Sequence, residues 1–141
     1  MATKIFLNTN IVLDVLDDKR PFHASAVEIW RKIETNHLDA YISESVVTAT
    51  DYILQKTTRK PLRINLLTEL LYFLQILPCT TLICINAFQN TFSDLEDTIL
   101  YQIALVGDVD YFITNDSKAQ KKLSSGTLPV ISTKEFLNIN G

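Results

Sequence analysis

Apolar positions along the chain switch between short continuous runs and helical spacing. Lys4 to Leu7 is a short apolar run that predicts a buried strand, closed by Asn8-Thr9-Asn10. Ile11 to Leu16 then reads as a helix, and Asp17, Asp18 and Pro21 mark a loop. Ala24, Val27, Trp30 and Ile33 recur at helical spacing and predict a second helix reaching about His37. Ala40 to Ser43 reads as a second strand. Ser45 is placed to cap a helix with Val46, Ala49 and Ile53 on one face. Pro61 suits the first turn of another helix, with Leu67, Leu70, Leu71 and Leu74 on its face. Ile76 to Pro78 reads as a third strand. Thr81 to Asn90 fits two patterns: Leu82-Ile83-Cys84-Ile85 alone is strand-like, whereas Leu82, Ile85 and Phe88 share a helical face. Ser93 opens a helix that runs to Val106, where Gly107 ends it. Tyr111 to Thr114 is a strand, Ser117 to Leu123 a short helix, Val130-Ile131 a last strand and Thr133 to Leu137 a terminal helix.

Strands that alternate with helices predict an α/β fold with a central, mostly parallel sheet covered on both faces. In such sheets, sites form beyond the carboxyl ends of the strands. The 141 residues contain no internal repeat and no linker-like run, so residues 1–141 read as a single domain. Only three glycines are present, Gly107, Gly126 and Gly141, which excludes a glycine-rich phosphate loop. The net charge of −3 gives no basic surplus, so any contact with nucleic acid must use a local patch. Cys79 and Cys84 are too few for a disulfide framework and lack zinc spacing with His23 or His37. They are expected to be reduced core thiols of a cytoplasmic protein. MATKIFLNTN has no signal pattern, and Arg63, Asn65 and Glu69 break the most apolar stretch, so no membrane span is expected.

The polar residues at the predicted strand ends are Asn8, Asn115 and Asp116, and Asp94, Glu96 and Asp97 open the late helix. Carboxylates gathered at one sheet edge repel one another unless a cation sits among them, and hard ions such as Mg²⁺ or Mn²⁺ prefer such oxygen sites. Two such ions can hold a phosphodiester and activate water for in-line attack. Each residue also has a structural reading. Asn8 either satisfies backbone groups at a strand end or belongs to the site. Ser93 and Glu96 match an S-x-x-E capping box. Asp116 either ligates or caps the helix starting near Ser117. Asp97 tops a face shared with Leu100, Tyr101 and Ala104, which favours it as a metal ligand over a purely solvated role. Thr9 and Asn10 shape the turn, and Asp14 and Asp110 read as structural. Of two basic clusters, Lys118, Lys121 and Lys122 adjoin Asp116 and are better placed for phosphate than Lys56, Arg59, Lys60 and Arg63.

FLNTNIVLDVL resembles the opening of PIN domains, whose usual form is LDTNxxLD. YISESVVTATDYILQK resembles that family's YISASxLTDIYYILRK segment, SDLEDTILYQIALVGDVDYFITND its DFEDAxxxxxAxxxGxDYIVTRN stretch, and PVISTKEFL its closing strand and helix. The resemblance runs from about Lys4 to Leu137. It implies a PIN-like three-layer α/β/α domain and a Mg- or Mn-dependent endoribonuclease of the VapC toxin type. The implied metal and catalytic residues are Asp97, Asp116, Glu96 and Asn8, with RNA contacts from Lys118, Lys121, Lys122, Thr9 and Asn115. Two of the family's acidic positions fall on Asn8 and Ala49. An asparagine oxygen brings no negative charge and alanine brings no ligand. Asp51 lies roughly 200° around the helix from Ala49, and Glu44 stands at the helix start. Cleavage is therefore expected to be weak or absent. The alternative is a catalytically inactive PIN-fold module that binds RNA or protein. By the same resemblance the partners are RNA and an antitoxin protein, with a homodimer expected. A phosphorylation-dependent receiver domain is disfavoured by Asn8 at the first strand end and by the lack of a strand-end lysine.

Overall fold

Strand β1 (Thr3–Leu7) lies mid-sheet, and Ile5, Phe6 and Leu7 are all buried. Successive strand side chains point to opposite faces, so an uninterrupted buried run means that both faces are covered. The computed structural model describes residues 2–89, 94–123 and 126–140. Among them the elements after β1 are α1 (Thr9–Leu16), α2 (His23–Glu34), β2 (Leu38–Ser43), α3 (Glu44–Leu54), α4 (Lys60–Leu71) and β3 (Leu74–Leu77). There follow α5 (Thr81–Gln89), α6 (Leu95–Val106), β4 (Tyr111–Ile113), α7 (Ser117–Leu123), β5 (Val130–Ile131) and α8 (Thr133–Asn140). The sheet order is β3-β2-β1-β4-β5, and every neighbouring pair is parallel.

Helices cover this sheet in two sets: α1 packs on α2 and α3, while α5 packs on α6 and α6 on α7. Phe6 stacks on Phe112 across the β1–β4 pair, 5.4 Å between centroids, and Tyr101 leans onto the same ring at 5.8 Å. Phe136 of α8 meets Tyr111 edge-on at 5.5 Å. Burying each such side chain contributes about 1.5–3 kcal/mol. These rings bolt β4, and the polar residues that follow it, to the centre of the domain. No helix among the described residues is long and apolar enough to cross a membrane.

Several expectations are corrected. Ser43, not Ser45, caps α3, its hydroxyl accepting from the Val46 N–H at 3.4 Å. The buried face of α3 carries Val46, Thr50 and Leu54, which leaves Ala49 half-buried and Ile53 exposed. α2 ends at Glu34, because Asn36 takes a left-handed turn with φ 63°. β3 starts at Leu74, which is therefore a strand residue rather than a member of the preceding helix face. Thr81–Gln89 is helical, its apolar spacing having two readings of which only packing on α6 selects one. Ser93 lies outside the described residues, and Asp94 caps α6. Gly107 does end α6, but the left-handed residue is Asp108, φ 56°. A Cβ at Gly107 would stand 2.5 Å from Leu77 Cδ1, so glycine permits β3 and α6 to approach. Cys79 is exposed and Cys84 half-buried, so neither is a core thiol.

Candidate functional site

In a parallel sheet all strands end along one edge, and the helix that follows each strand begins there. Asn8 follows β1 and Thr114, Asn115 and Asp116 follow β4, while α6 delivers Asp97 from its first turn. The sequence separations are large, 89 residues from Asn8 to Asp97 and 106 from Asn8 to Thr114. Packing alone brings them together.

Asn8 is 4% exposed. Its Oδ1 accepts from the Thr9 N–H at 2.7 Å, capping α1, and only an oxygen can take that place. The amide nitrogen must then face the other way. It donates to Asp97 Oδ1 at 3.3 Å and to Thr114 Oγ1 at 3.1 Å. Asn10 Nδ2 also donates to Thr114 Oγ1 at 3.2 Å, as does the Asp116 N–H at 3.2 Å. The Thr114 hydroxyl, fully buried at the end of β4, thus gathers both sides of the edge. Sequence reasoning missed it. Its only signal is a small polar residue where the YFI run stops.

The carboxylates are crowded. Burial, then the charge of Asp94, pushes the Asp97 pKa up to about 6, against the opposing hydrogen bond from Asn8. Asp116 and Glu96 add smaller repulsions. Glu96 is raised as well, by burial and then by Asp94. Asp116 serves the backbone: its Oδ1 accepts from the Lys118 N–H at 2.9 Å, as a cap for α7 does. Asp94, Asp97 and Asp116 together line two adjoining cavities of about 310 Å³ each. One cavity is closed by Lys118 and Lys122 of α7. The other reaches Asn8, Thr9, Ala49 and Arg20, and Glu96 lines it. Ala49 therefore faces the same space as Asn8 and Asp97. Lys121 shares α7 but does not line the first cavity.

Asn115 turns away from these carboxylates. Its Nδ2 donates to Asp14 Oδ2 at 3.1 Å, and its Oδ1 accepts from the Thr133 N–H and hydroxyl at 3.0 and 3.1 Å. Asp14 pairs with Arg20 at 2.7 Å, as its structural reading expects. Asp110 is likewise structural, accepting from the Lys4 N–H at 2.9 Å. Neither Asp51 nor Glu44 lines the cavity that Ala49 faces. Asp51 is held by Arg63 at 2.8 Å and Gln55 at 3.2 Å, and Glu44 is exposed in the first turn of α3.

This donor set fits a hard divalent ion poorly. Among the described residues no three His, Cys, Asp or Glu side chains converge as ligands. The amide hydrogens of Asn8, not an oxygen, face Asp97. Thr9 Oγ1 and Asn10 Oδ1 are buried beside Asn8 without partners among the described residues, but these neutral oxygens supply no charge to offset stripping water from the ion.

The chain is thus a parallel α/β domain with acids gathered where β1, α6 and β4 meet. The chain belongs to the PIN domain family, which matches it over residues 4–118. It is 28% identical over 140 residues to Ribonuclease VapC1 of Aquifex aeolicus, covering 96% of this chain and 94% of that one. Its fold is similar to that of Mycobacterium tuberculosis VapC20, a toxin that cleaves the sarcin-ricin loop. There the TM-score is 0.68 at 12% identity, over 83% of this chain and 93% of the other. It is also similar to a chain in the structure of Rickettsia felis VapBC2 bound to a DNA fragment from its promoter. There the TM-score is 0.66 at 16% identity, over 92% of this chain and 97% of that one.

Proposed function

We propose that this protein is a ribonuclease-toxin-type PIN domain, one domain over residues 1–141, that binds RNA along its acidic edge but cleaves it weakly or not at all. One observation carries this reading: the Asn8 amide donates to Asp97 where the family resemblance implies an acid. Ala49 in the same cavity supports it. Asp97, Asp116 and Glu96 are the surviving acids, and Lys118 and Lys122 are the groups placed for phosphate. Mg²⁺ or Mn²⁺, the ions of the family resemblance, would bind weakly. A cytoplasmic location goes with RNA as the ligand. A homodimer and a small antitoxin complete the reading. They are supported by the likeness to a VapBC2 chain and by the apolar side chains of Tyr72, Leu82 and Phe88, all more than half exposed.

The test is labelled RNA with Mn²⁺, using the native chain and the Asn8→Asp, Ala49→Asp double variant. Binding by both is expected, with cutting that appears or rises in the double variant. Efficient cutting by the native chain that Asp97→Ala abolishes would replace this reading with that of an active nuclease. No binding of RNA by either protein would leave a protein-binding module.

A further inference from the structure

Both cysteines of the chain lie where the turn after β3 enters α5. Cys79 lies just before α5 and Cys84 one turn inside it, and their Sγ atoms are 3.6 Å apart. The turn is internally organised. The Thr80 hydroxyl accepts from the Ile83 N–H at 3.3 Å, and the Thr80 carbonyl accepts from the Cys84 N–H at 3.2 Å. This folds Cys79 back over the first turn of α5. Cys79 is exposed and Cys84 partly so, which leaves the pair open to small reagents.

We propose that Cys79 and Cys84 form a reversible dithiol–disulfide site whose reaction partners are small-molecule disulfides such as oxidised glutathione. The Cys79 thiolate attacks one sulfur of the glutathione disulfide and releases one glutathione thiol. The Cys84 thiol then loses its proton, attacks the Cys79 sulfur of the mixed disulfide and expels the second glutathione. Two protein S–H groups become one S–S bond, and one S–S bond of the oxidant becomes two thiols. Burial and the neighbouring Cys84 hold the Cys79 thiol above its usual range, which slows the first attack. Proximity favours the second attack. The sulfurs have only to close from 3.6 Å to a bond of about 2.05 Å. With just two cysteines in the chain, no competing internal pairing exists. The bond ties α5 to the loop that follows β3, and α5 packs on α6, which carries Asp97.

The full reduced chain is equilibrated with reduced and oxidised glutathione, quenched by alkylation and mapped by mass spectrometry. The expected product is a monomer lighter by two hydrogens with a peptide linking 79 to 84, reversed by dithiothreitol. Its equilibrium constant is expected to be at least tenfold larger in the native chain than in urea. The Cys84→Ser variant should instead accumulate the mixed disulfide on Cys79. A native constant equal to or below the one in urea would overturn the proposal, as would products that are only intermolecular.

Discussion

Two polar clusters sit side by side at the carboxyl edge of the sheet and differ in how their charges are met. In the first, Asp14 is 2% exposed, yet both its oxygens are held, one by Arg20 and the other by Asn115. Asn115 continues the chain to Thr133, whose hydroxyl meets Ser25 at 2.6 Å. α1, α2, β4 and α8 are thereby tied through partnered groups. In the second, Asp97 has, among the described residues, one long hydrogen bond from a neutral amide and three acidic neighbours. A buried carboxylate with its counter-charge supplied by the fold is architecture. One whose counter-charge the described residues do not supply is a candidate place for a ligand.

The largest expected effect separates the two clusters directly. Asp14→Ala leaves Arg20 and Asn115 without their partner and should lower unfolding stability by about 3 kcal/mol in urea titrations. If Asp97→Ala costs as much, the contrast fails. Next, Asn8→Asp with Ala49→Asp restores two charges to the second cluster. Calorimetry should show Mn²⁺ binding at least ~tenfold tighter than in the native chain, about 1.4 kcal/mol. Unchanged heats would mean that some other group blocks the ion.

A smaller effect concerns Asp97 alone. Its unfolded carboxyl ionises near 4 and the native one at about 6, so between these values the native state binds more protons. Stability therefore falls as pH rises from about 4 to 6 and stays lower above that window. Asp97→Asn removes this slope. Because the side chain is partly solvated, the gain at pH 7 should be on the order of 1 kcal/mol, vanishing below about pH 4. Thermal melts across pH check it, and a variant less stable at pH 7 would reverse the assignment. The smallest effect tests the basic wall. Lys118→Ala and Lys122→Ala should each weaken RNA binding a few-fold and flatten the salt dependence of log K by about 0.7. Arg59→Ala, in the other basic cluster, should leave that slope unchanged.

How legible each part was depends on the range of the interaction that decides it. Strand and helix periods are properties of neighbours two to four positions apart, so β1, α6, β4 and the parallel order could be read from the residues themselves. So could the edge that carries the site, since the residues after β1 and β4 must share it. Asn8 and Ala49, the positions where the family resemblance expects acids, were visible for the same reason, as places in local motifs. Boundaries were less legible: Ser43 and Ser45 are equally good caps by type, and only the strand geometry of β2 decides between them.

What the sequence alone determined, then, is an alternating α/β chain with Asn8, Asn115 and Asp116 at its strand ends and Glu96 and Asp97 in the helix before the fourth strand. What the tertiary structure decided is which way each polar atom faces. The Asn8 oxygen is taken by the backbone of α1 and its nitrogen is turned on Asp97, Asn115 is drawn to Asp14, and Cys79 is placed beside Cys84 at the surface. The Asn8–Asp97 and Asn115–Asp14 bonds join residues 89 and 101 positions apart, and they exist only once the sheet has brought the ends of β1 and β4 together. No local pattern encodes the direction of an amide. The competing donors and acceptors around it do, and those are assembled by the fold.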